Sequence, residues 1–255
     1  AIGTTITAQL IALNISDYAP LFIAAGVFLR MFSKTDKRKI VGDALAGFGI
    51  LFLGINIMSQ TLKPLASLPE FGQILVTFSN NPILGLLAGA FLTAIIQSSS
   101  AAIGILQALA MGGAFAAFGS DLTLAVTIPI LLGMNIGTCI TAVLSTVGTN
   151  TNAKRAAAIH LLFKIIGALW FMLLLWIVTG ISGTDNIIYQ FIIKISGDVT
   201  IDGILVPDVS RQIANTHMLF NIINAILMLP FLRPIVRFTE RILPNKDEEE
   251  SPYKI

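Results

Sequence analysis

The stretch 82–117 places a polar cluster between two apolar segments, 83–96 and 101–117. Polar side chains at membrane depth are tolerated where they face protein or a watery cavity, so the cluster indicates a lined interior. At about 1.5 Å per residue, each apolar segment reaches roughly 21–26 Å, short of the roughly 30 Å hydrocarbon core. The pattern predicts a re-entrant helical hairpin with an unwound polar tip where a solute docks. The polar tip consists of Gln97, Ser98, Ser99 and Ser100.

The composition indicates an all-α, polytopic helical membrane protein. Of the 255 residues, 55% are hydrophobic and 12% are charged, and the mean hydropathy is +0.84. These values exclude an ordinary soluble domain and a disordered chain. Long continuous apolar runs, rather than roughly ten-residue alternating segments, favour helices over a membrane β-barrel. The single cysteine, Cys139, excludes an intrachain disulfide and is interpreted as a small core residue.

No pattern of catalytic residues points to an enzyme. The sequence has no serine, histidine and aspartate arrangement in a plausible local context, and no glycine-rich phosphate loop after a strand. Nucleic-acid binding is equally unsupported. The chain begins inside an apolar run and ends in a charged run, 245–252, which leads us to expect a fragment of a longer protein.

The basic residues decide between two topologies of the hairpin. They cluster at 34–39, 154–155 and 233–246. If the hairpin crossed the membrane, the second and third clusters would lie outside, against the positive-inside tendency. If it re-enters from outside, all three are cytoplasmic, and 65–81 and 180–210 lie outside. Charge alone therefore predicts re-entry and a cytoplasmic C-terminus.

An internal repeat predicts inverted topology. Residues 3–8 and 137–142 share five of six identities, and the topology above gives the two copies opposite directions through the membrane. Residues 158–164 similarly resemble 215–221. Chance similarity of glycine- and threonine-rich segments is the alternative.

The predicted organisation has four parts, and the hairpin opens the second repeat. That repeat also contains a helix over 122–147 that is interrupted at 133–138, where two glycines and an asparagine break the apolar pattern. The parts are the remainder of a first inverted repeat (1–64), an external connector (65–81), a second inverted repeat (82–232, with the hairpin 82–117, the broken helix 122–147 and spans 156–179 and 211–232), and a cytoplasmic tail, first basic and then acidic (233–255).

The motifs together resemble the type II sodium/phosphate cotransporter family, in its bacterial branch. The resemblance implies sodium-coupled movement of phosphate, with paired Gln-Ser-Ser elements at the tips of two inverted hairpins; this sequence contains the second. It departs from the pattern at Ala1, which stands where the second repeat has Asn135, and at Lys164, which stands where the other His-x-x-Phe motif has Asn221. The motifs that carry the resemblance lie at 47–54, 93–101, 133–138, 155–163 and 217–221.

The amide and hydroxyls of the tip can donate hydrogen bonds to phosphate oxygens, and their oxygens can bind Na⁺. A helix N-terminus at the tip also favours a bound anion. The alternatives are serines that bond a carbonyl one turn back, and Asn and Thr residues that only kink a helix. The predicted phosphate ligands are Gln97, Ser98, Ser99 and Ser100. The predicted sodium ligands are Gln97, Ser99, Asn135, Thr138 and Thr141, with Thr4, Thr5 and Thr7 as their inverted counterparts.

Several other residues receive structural interpretations. His160 and His217 each lie near Phe and are interpreted as packing residues rather than proton or metal groups. Lys164 is expected to snorkel or to pair, and Arg155 to set topology. The glycines Gly47, Gly49 and Gly54 are expected to form helix contacts.

The predicted function is symport: sodium-coupled secondary active transport of inorganic phosphate by alternating access at a midplane site. The expected location is the bacterial inner membrane, with multiple passes through the lipid bilayer, and a homo-oligomer is left open. Transport of another oxyanion, such as arsenate or sulfate, is an alternative. A membrane anchor or sensor of phosphate status without flux is the rival from a different class, and a channel is third.

Overall fold

The computed structural model of the chain describes residues 2–13, 15–66, 68–115, 118–201 and 204–244. The described part is almost entirely helical, apart from one antiparallel hairpin of two short strands. The helices are α1 (Ile2–Ala12), α2 (Ala19–Phe32), α3 (Asp36–Ala66), α4 (Pro69–Asn80), α5 (Pro82–Ile96), α6 (Ser99–Met111), α7 (Ser120–Gly137), α8 (Cys139–Leu144), α9 (Thr151–Ser182), α10 (Ile187–Ser196), α11 (Val209–Met228) and α12 (Leu232–Ile242), and the strands are β1 (Asp198–Ile201) and β2 (Ile204–Pro207).

Four helical segments of the described residues are long and apolar enough to cross a membrane. A fifth is possible if α1 and α2, which bend by 82° where they meet, form one span. The prediction of an all-α, polytopic membrane protein is confirmed. The four segments are Asp36–Leu62, Asp121–Leu144, Thr151–Ser182 and Val209–Ile242.

The observed helices extend several predicted segments. The span expected over 156–179 lies within the longer α9, and the one expected over 211–232 covers α11, a short 3₁₀ turn (Leu229–Phe231) and the start of α12. The tail predicted from 233 therefore begins inside α12, and its acidic part from 245 lies outside the described residues. The connector at 65–81 contains α4, and the segment 180–210, expected outside, contains α10 and the strands β1 and β2.

Three glycines, Gly26 of α2 and Gly42 and Gly49 of α3, let these helices pack closely. A Cβ on Gly42 would lie 2.7 Å from the carbonyl oxygen of Gly26, and a Cβ on Gly49 would lie 2.7 Å from that of Ala19. The contact predicted at Gly49 is therefore confirmed. Gly47 and Gly54 face open space, so the predicted contacts are wrong at these positions. The reason is helical periodicity: residues seven apart share a face, whereas residues five apart do not.

A second set of glycines joins α5 to α7, which run parallel. A Cβ on Gly89 would collide with the carbonyl of Ile130, and one on Gly133 would collide with that of Leu86. The helix α7 is regular through Gly137, and Thr138 alone separates it from α8. Thr138 keeps helical φ and ψ, and its N–H donates to the carbonyl of Met134 at 3.2 Å. The interruption predicted over 133–138 is therefore not a break in the helix, because its glycines permit close helix contact instead.

The apolar core lies on both sides of α7. On one side, Leu131 packs in a cluster with Ile103 of α6 and Ile213 of α11. On the other side, Ile128 belongs to a cluster with Phe171 of α9 and Phe220 of α11, and the ring centroids of the two phenylalanines are 5.4 Å apart. Burial on two faces makes α7 the central helix of the described fold, and it positions the polar residues near its C-terminal end.

Candidate functional site

The polar tip is a sharp break between two helices. The helix α5 ends at Ile96 and α6 begins at Ser99. Gln97 has φ of 58°, in the left-handed region, and among the described residues it is the one non-glycine with positive φ. Its N–H donates to the carbonyl of Thr93 at 2.7 Å. A left-handed residue after the last helical turn is a common helix ending, so α5 stops cleanly here.

The first turn of α6 is capped by Ser98. This residue is extended, with φ of −140° and ψ of 110°, and its Oγ accepts a hydrogen bond from the N–H of Ala101 at 3.3 Å. Gln97 is exposed, and the three serines are half-buried. The first N–H groups of a helix lack intrahelical partners, and the helix dipole makes this end positive. The tip therefore offers uncharged donors and a positive potential to an anion.

The junction of α7 and α8, at Thr138, lies beside the tip. Thr138 keeps right-handed helical dihedrals, with φ of −56° and ψ of −27°, so the span continues through it. Thr138 Oγ1 donates to the carbonyl of Met134 at 2.8 Å, and Thr141 Oγ1 donates to that of Thr138 at 2.9 Å. Each hydroxyl donates its hydrogen to a backbone carbonyl. The lone pairs of its oxygen therefore remain available to bind a cation. Thr93 contacts Gly137, next to Thr138. Gln97 follows Thr93 by one helical turn, about 6 Å.

The structure thus brings the tip and Thr138 to the same end of the α5–α7 pair. The sequence analysis missed Thr93, whose Oγ1 is buried beside Gly137 and has no hydrogen-bond partner among the described residues. Its position one turn before Gln97 in an otherwise apolar helix was the available signal.

Asn135 is buried and bound to a lysine. Its Oδ1 accepts from Lys164 Nζ at 2.8 Å, and the same Nζ donates to Asn221 Oδ1 at 3.1 Å. Lys164 is only 3% exposed, so of the two expectations for it, pairing is confirmed. We call Lys164, Asn135 and Asn221 the lysine cluster. The sequence analysis did not propose Asn221 as a site residue, although the half-repeat 215–221 contained it.

The threonines of α1 do not lie at the tip. Thr5 is buried and donates to the carbonyl of Ile2 at 2.6 Å, whereas Thr4 and Thr7 are half-buried. Gln107 Nε2 of α6 donates to the carbonyl of Ala8 at 3.0 Å. Gln107 is eight residues past the start of α6, or roughly 12 Å along it. Gly104 lies beside Ile11 and Gln107 beside Ala8, so α1 runs antiparallel to α6. The three threonines precede Ala8 and therefore lie farther from Ser99.

Further polar groups fill the space between α1, α6 and α11. Gln9 Nε2 donates to Asn215 Oδ1 at 2.9 Å, and Asn215 Nδ2 donates to Ser196 Oγ at 3.0 Å. Gln107 Nε2 also donates to the carbonyl of Ser210 at 3.1 Å. These bonds satisfy polar atoms in the interior and tie the helices to each other. Local sequence indicated none of these long-range partners.

The two histidines lie in different surroundings. His217 is buried, and its Nδ1 has no hydrogen-bond partner in the part of the chain that the structure describes. His160 is half-buried, and its carbonyl accepts from Cys139 Sγ at 3.7 Å. Among the same residues, no three His, Cys, Asp or Glu side chains are grouped for a metal ion.

The residues around the tip and around Thr138 lie within a match to a known family. The family model described as Na⁺/Pi-cotransporter matches residues 1–60 and 57–191. The chain belongs to the Na⁺/Pi-cotransporter family. Membership confirms the resemblance drawn from the sequence and, with the apolar helices above, supports an integral membrane protein. No solved structure matches this family member.

The chain matches three relatives over different shares of their lengths. The uncharacterized protein YqeW of Bacillus subtilis is 30% identical over 245 residues, which are 96% of this chain and 71% of that protein. The putative inorganic phosphate export protein YjbB of Escherichia coli K12 is 25% identical over 99% of this chain, which covers only 42% of YjbB. The human sodium-dependent phosphate transport protein 2B is 35% identical over 134 residues, which are 49% of this chain and 18% of that protein.

Proposed function

We propose that the protein carries out sodium-coupled secondary active transport of inorganic phosphate, with the polar tip as its phosphate-binding element. The observation that carries the proposal is the break at Gln97, where a 13-residue helix begins with exposed and half-buried hydrogen-bonding groups. Broken helices whose N-termini face an anionic solute are a recurrent device of secondary transporters. Membership of the Na⁺/Pi-cotransporter family and the names of the E. coli and human relatives support phosphate as the solute.

Sodium would bind beside the phosphate, between the break at Gln97 and the α7–α8 junction at Thr138. The oxygens of Gln97, Ser99, Thr138 and Thr141 are uncharged, which suits a monovalent cation next to an anion. The proximity of Thr93 to Gly137 supports this assignment. Thr4, Thr5 and Thr7 would serve the corresponding position of the other inverted repeat, which is consistent with their distance from the tip.

The decisive experiment measures phosphate uptake into proteoliposomes that contain the complete protein. We expect Gln97→Ala and Ser99→Ala each to lower the initial rate of Na⁺-driven uptake of radioactive phosphate by at least about tenfold, the scale of one lost hydrogen bond to a charged group of roughly 1.5 kcal/mol or more. Uptake is measured with an inward Na⁺ gradient and compared with a choline gradient of equal ionic strength.

Ser145→Ala is the matched control for these variants. Ser145 is an exposed hydroxyl whose Oγ donates to the carbonyl of Ala142 at 2.8 Å, and it lies at the far end of α8. We expect this variant to transport like the native protein. Size-exclusion chromatography in detergent checks that all three variants are folded. Native uptake rates in both Gln97→Ala and Ser99→Ala would rule out the assigned site.

The direction of transport is a separate proposal, because the E. coli relative is named as an export protein. The same site would support export if the Na⁺ gradient and the orientation of the protein in the membrane favoured outward transport of phosphate. Proteoliposomes loaded with phosphate and diluted into phosphate-free buffer measure efflux directly. Binding of phosphate without flux in either direction would instead favour the sensor, and competition by arsenate or sulfate tests the oxyanion.

The proposed topology has the hairpin 82–117 entering from outside and returning there, in the second of two inverted repeats. This arrangement leaves the C-terminus cytoplasmic in the bacterial inner membrane. Gln73→Cys and Lys154→Cys test it, since both sites are exposed, Cys139 is buried, and the proposal puts them on opposite sides. A membrane-impermeant thiol reagent should label Gln73→Cys in intact spheroplasts and Lys154→Cys only after lysis. Labelling of both from one side would contradict the topology.

A further inference from the structure

The lysine cluster holds a buried cation on uncharged oxygens. Lys164 Nζ is bound by Asn135 Oδ1 at 2.8 Å and by Asn221 Oδ1 at 3.1 Å. Throughout residues 2–13, 15–66, 68–115, 118–201 and 204–244, the ion pairs involve other residues and no carboxylate pairs with Lys164. Buried lysines usually have an acidic partner. Here, neutral amide oxygens take that place, and such oxygens are also ligands for a monovalent cation.

Both amides are oriented by their own helices. Asn135 Nδ2 donates to the carbonyl of Leu131 at 3.2 Å, and Asn221 Nδ2 donates to that of His217 at 2.8 Å. Each bond reaches back one helical turn and fixes the amide group with one of its two N–H donors, so each Oδ1 is directed at the lysine. The bonds do not involve Lys164. Removing the lysine side chain would therefore leave two oriented oxygens facing an unfilled cation position.

The internal repeat indicates which residue could replace the lysine. Residues 158–164 resemble 215–221, so Lys164 and Asn221 are equivalent positions of two copies. In the structure these equivalent side chains contact each other. An asparagine at position 164 would restore the likeness between the copies. It would also supply a third amide oxygen near the point where the ammonium group lies.

We propose that the Lys164 ammonium group is a tethered substitute for a bound Na⁺, filling a cation position between Asn135 and Asn221. The inference deepens the proposed function and rests on the use of Na⁺ beside α7. Asn135 then leaves the set of Na⁺ ligands in this chain. The transported Na⁺ is bound by the oxygens of Gln97, Ser99, Thr138 and Thr141.

The test is Na⁺ binding to Lys164→Asn in the complete protein, purified in detergent without phosphate. Equilibrium binding of radioactive Na⁺ is measured with choline chloride keeping the ionic strength constant. We expect about one more Na⁺ bound per chain than in the native protein, because the variant exposes the oriented oxygens. We also expect the variant's melting temperature to rise by several degrees when NaCl replaces choline chloride, since a ligand that binds only the folded state stabilises it.

Lys154→Asn is the matched control, because it removes a lysine from the same helix at an exposed position. We expect it to bind the native number of Na⁺ ions. Lys164→Gln provides a second variant with a longer side chain that fills more of the lysine's volume. An unchanged number of bound Na⁺ in either folded Lys164 variant overturns the proposal. Failure of both variants to fold in NaCl also overturns it, because Na⁺ should replace the missing charge.

The outcome of the Na⁺-binding test does not depend on phosphate flux. If the native protein moved no phosphate while Lys164→Asn gained a bound Na⁺, the proposed function would fail and the role of Lys164 would stand. If phosphate transport depended on Gln97 but the Lys164 variants bound no additional Na⁺, the reverse would hold.

Discussion

The polar tip and the lysine cluster use the same kinds of side-chain oxygen in opposite surroundings. At the tip, the backbone is unwound at Gln97, and the side chains are exposed or half-buried. In the lysine cluster, Asn135 and Asn221 lie within regular helices, and both are buried. The tip leaves its donors and acceptors open to a solute, whereas the cluster's oxygens are engaged by an internal cation.

The comparison teaches that residue type alone does not identify a binding residue. An asparagine in a transport helix offers the same amide oxygen whether a solute or a lysine reaches it. What differs is the partner that the fold supplies. If this view is correct, substitutions in the cluster should mainly cost stability, and substitutions at the tip should mainly cost transport.

The largest expected loss of stability is for Asn221→Leu. This change removes one of two oxygens that hold the buried Lys164 Nζ, and a hydrogen bond to a charged group contributes about 1.5–3 kcal/mol. Unfolding by denaturant in detergent micelles measures the change in free energy of unfolding. Asn152→Leu on the exposed part of α9 is the control, with an expected effect within about 0.5 kcal/mol. Equal stability of the two variants would remove the contrast between cluster and surface.

An intermediate effect is expected for Ser98→Ala, which removes the cap of α6. Loss of such a cap costs roughly 1 kcal/mol, and the N–H of Ala101 would lose its side-chain partner. Ser100→Ala, inside the first turn, should cost less. The same unfolding measurement compares both with the native protein. A loss for Ser98→Ala as large as for Asn221→Leu would show that the tip is as important for stability as the cluster.

Gln97→Gly is expected to have the smallest effect on stability and a large effect on phosphate uptake. Glycine avoids the roughly 1–2 kcal/mol cost of the left-handed conformation but loses more chain entropy on folding, so a net gain below about 1 kcal/mol is expected. Phosphate uptake should nevertheless fall as far as in Gln97→Ala, because both lack the amide. Retained uptake in Gln97→Gly would mean that the bend, not the side chain, is what transport requires.

Sequence reasoning predicted the helical membrane fold, the break at 97–100 and the family, because hydropathy and short motifs are local properties. It could not decide whether Lys164 snorkels or pairs, since its partners lie 29 and 57 residues away. It took Gly133 and Gly137 as signs of a broken helix, because nothing local revealed that α5 lies against them. The inverted repeat and the re-entry of the hairpin stay predictions.

The glycine contacts between α5 and α7 constrain any conformational change in the protein. At Gly89 and Gly133, the main chains of the two helices touch with no side chain between them, and Gly137 lies against Ala90 and Thr93. Sliding one helix along the other would drive neighbouring carbonyls and larger side chains into that narrow gap. Gln97 and Thr138 are therefore expected to move together in the proposed transport cycle. Opening of the site to either side of the membrane would then require movement of the helices that face the α5–α7 pair.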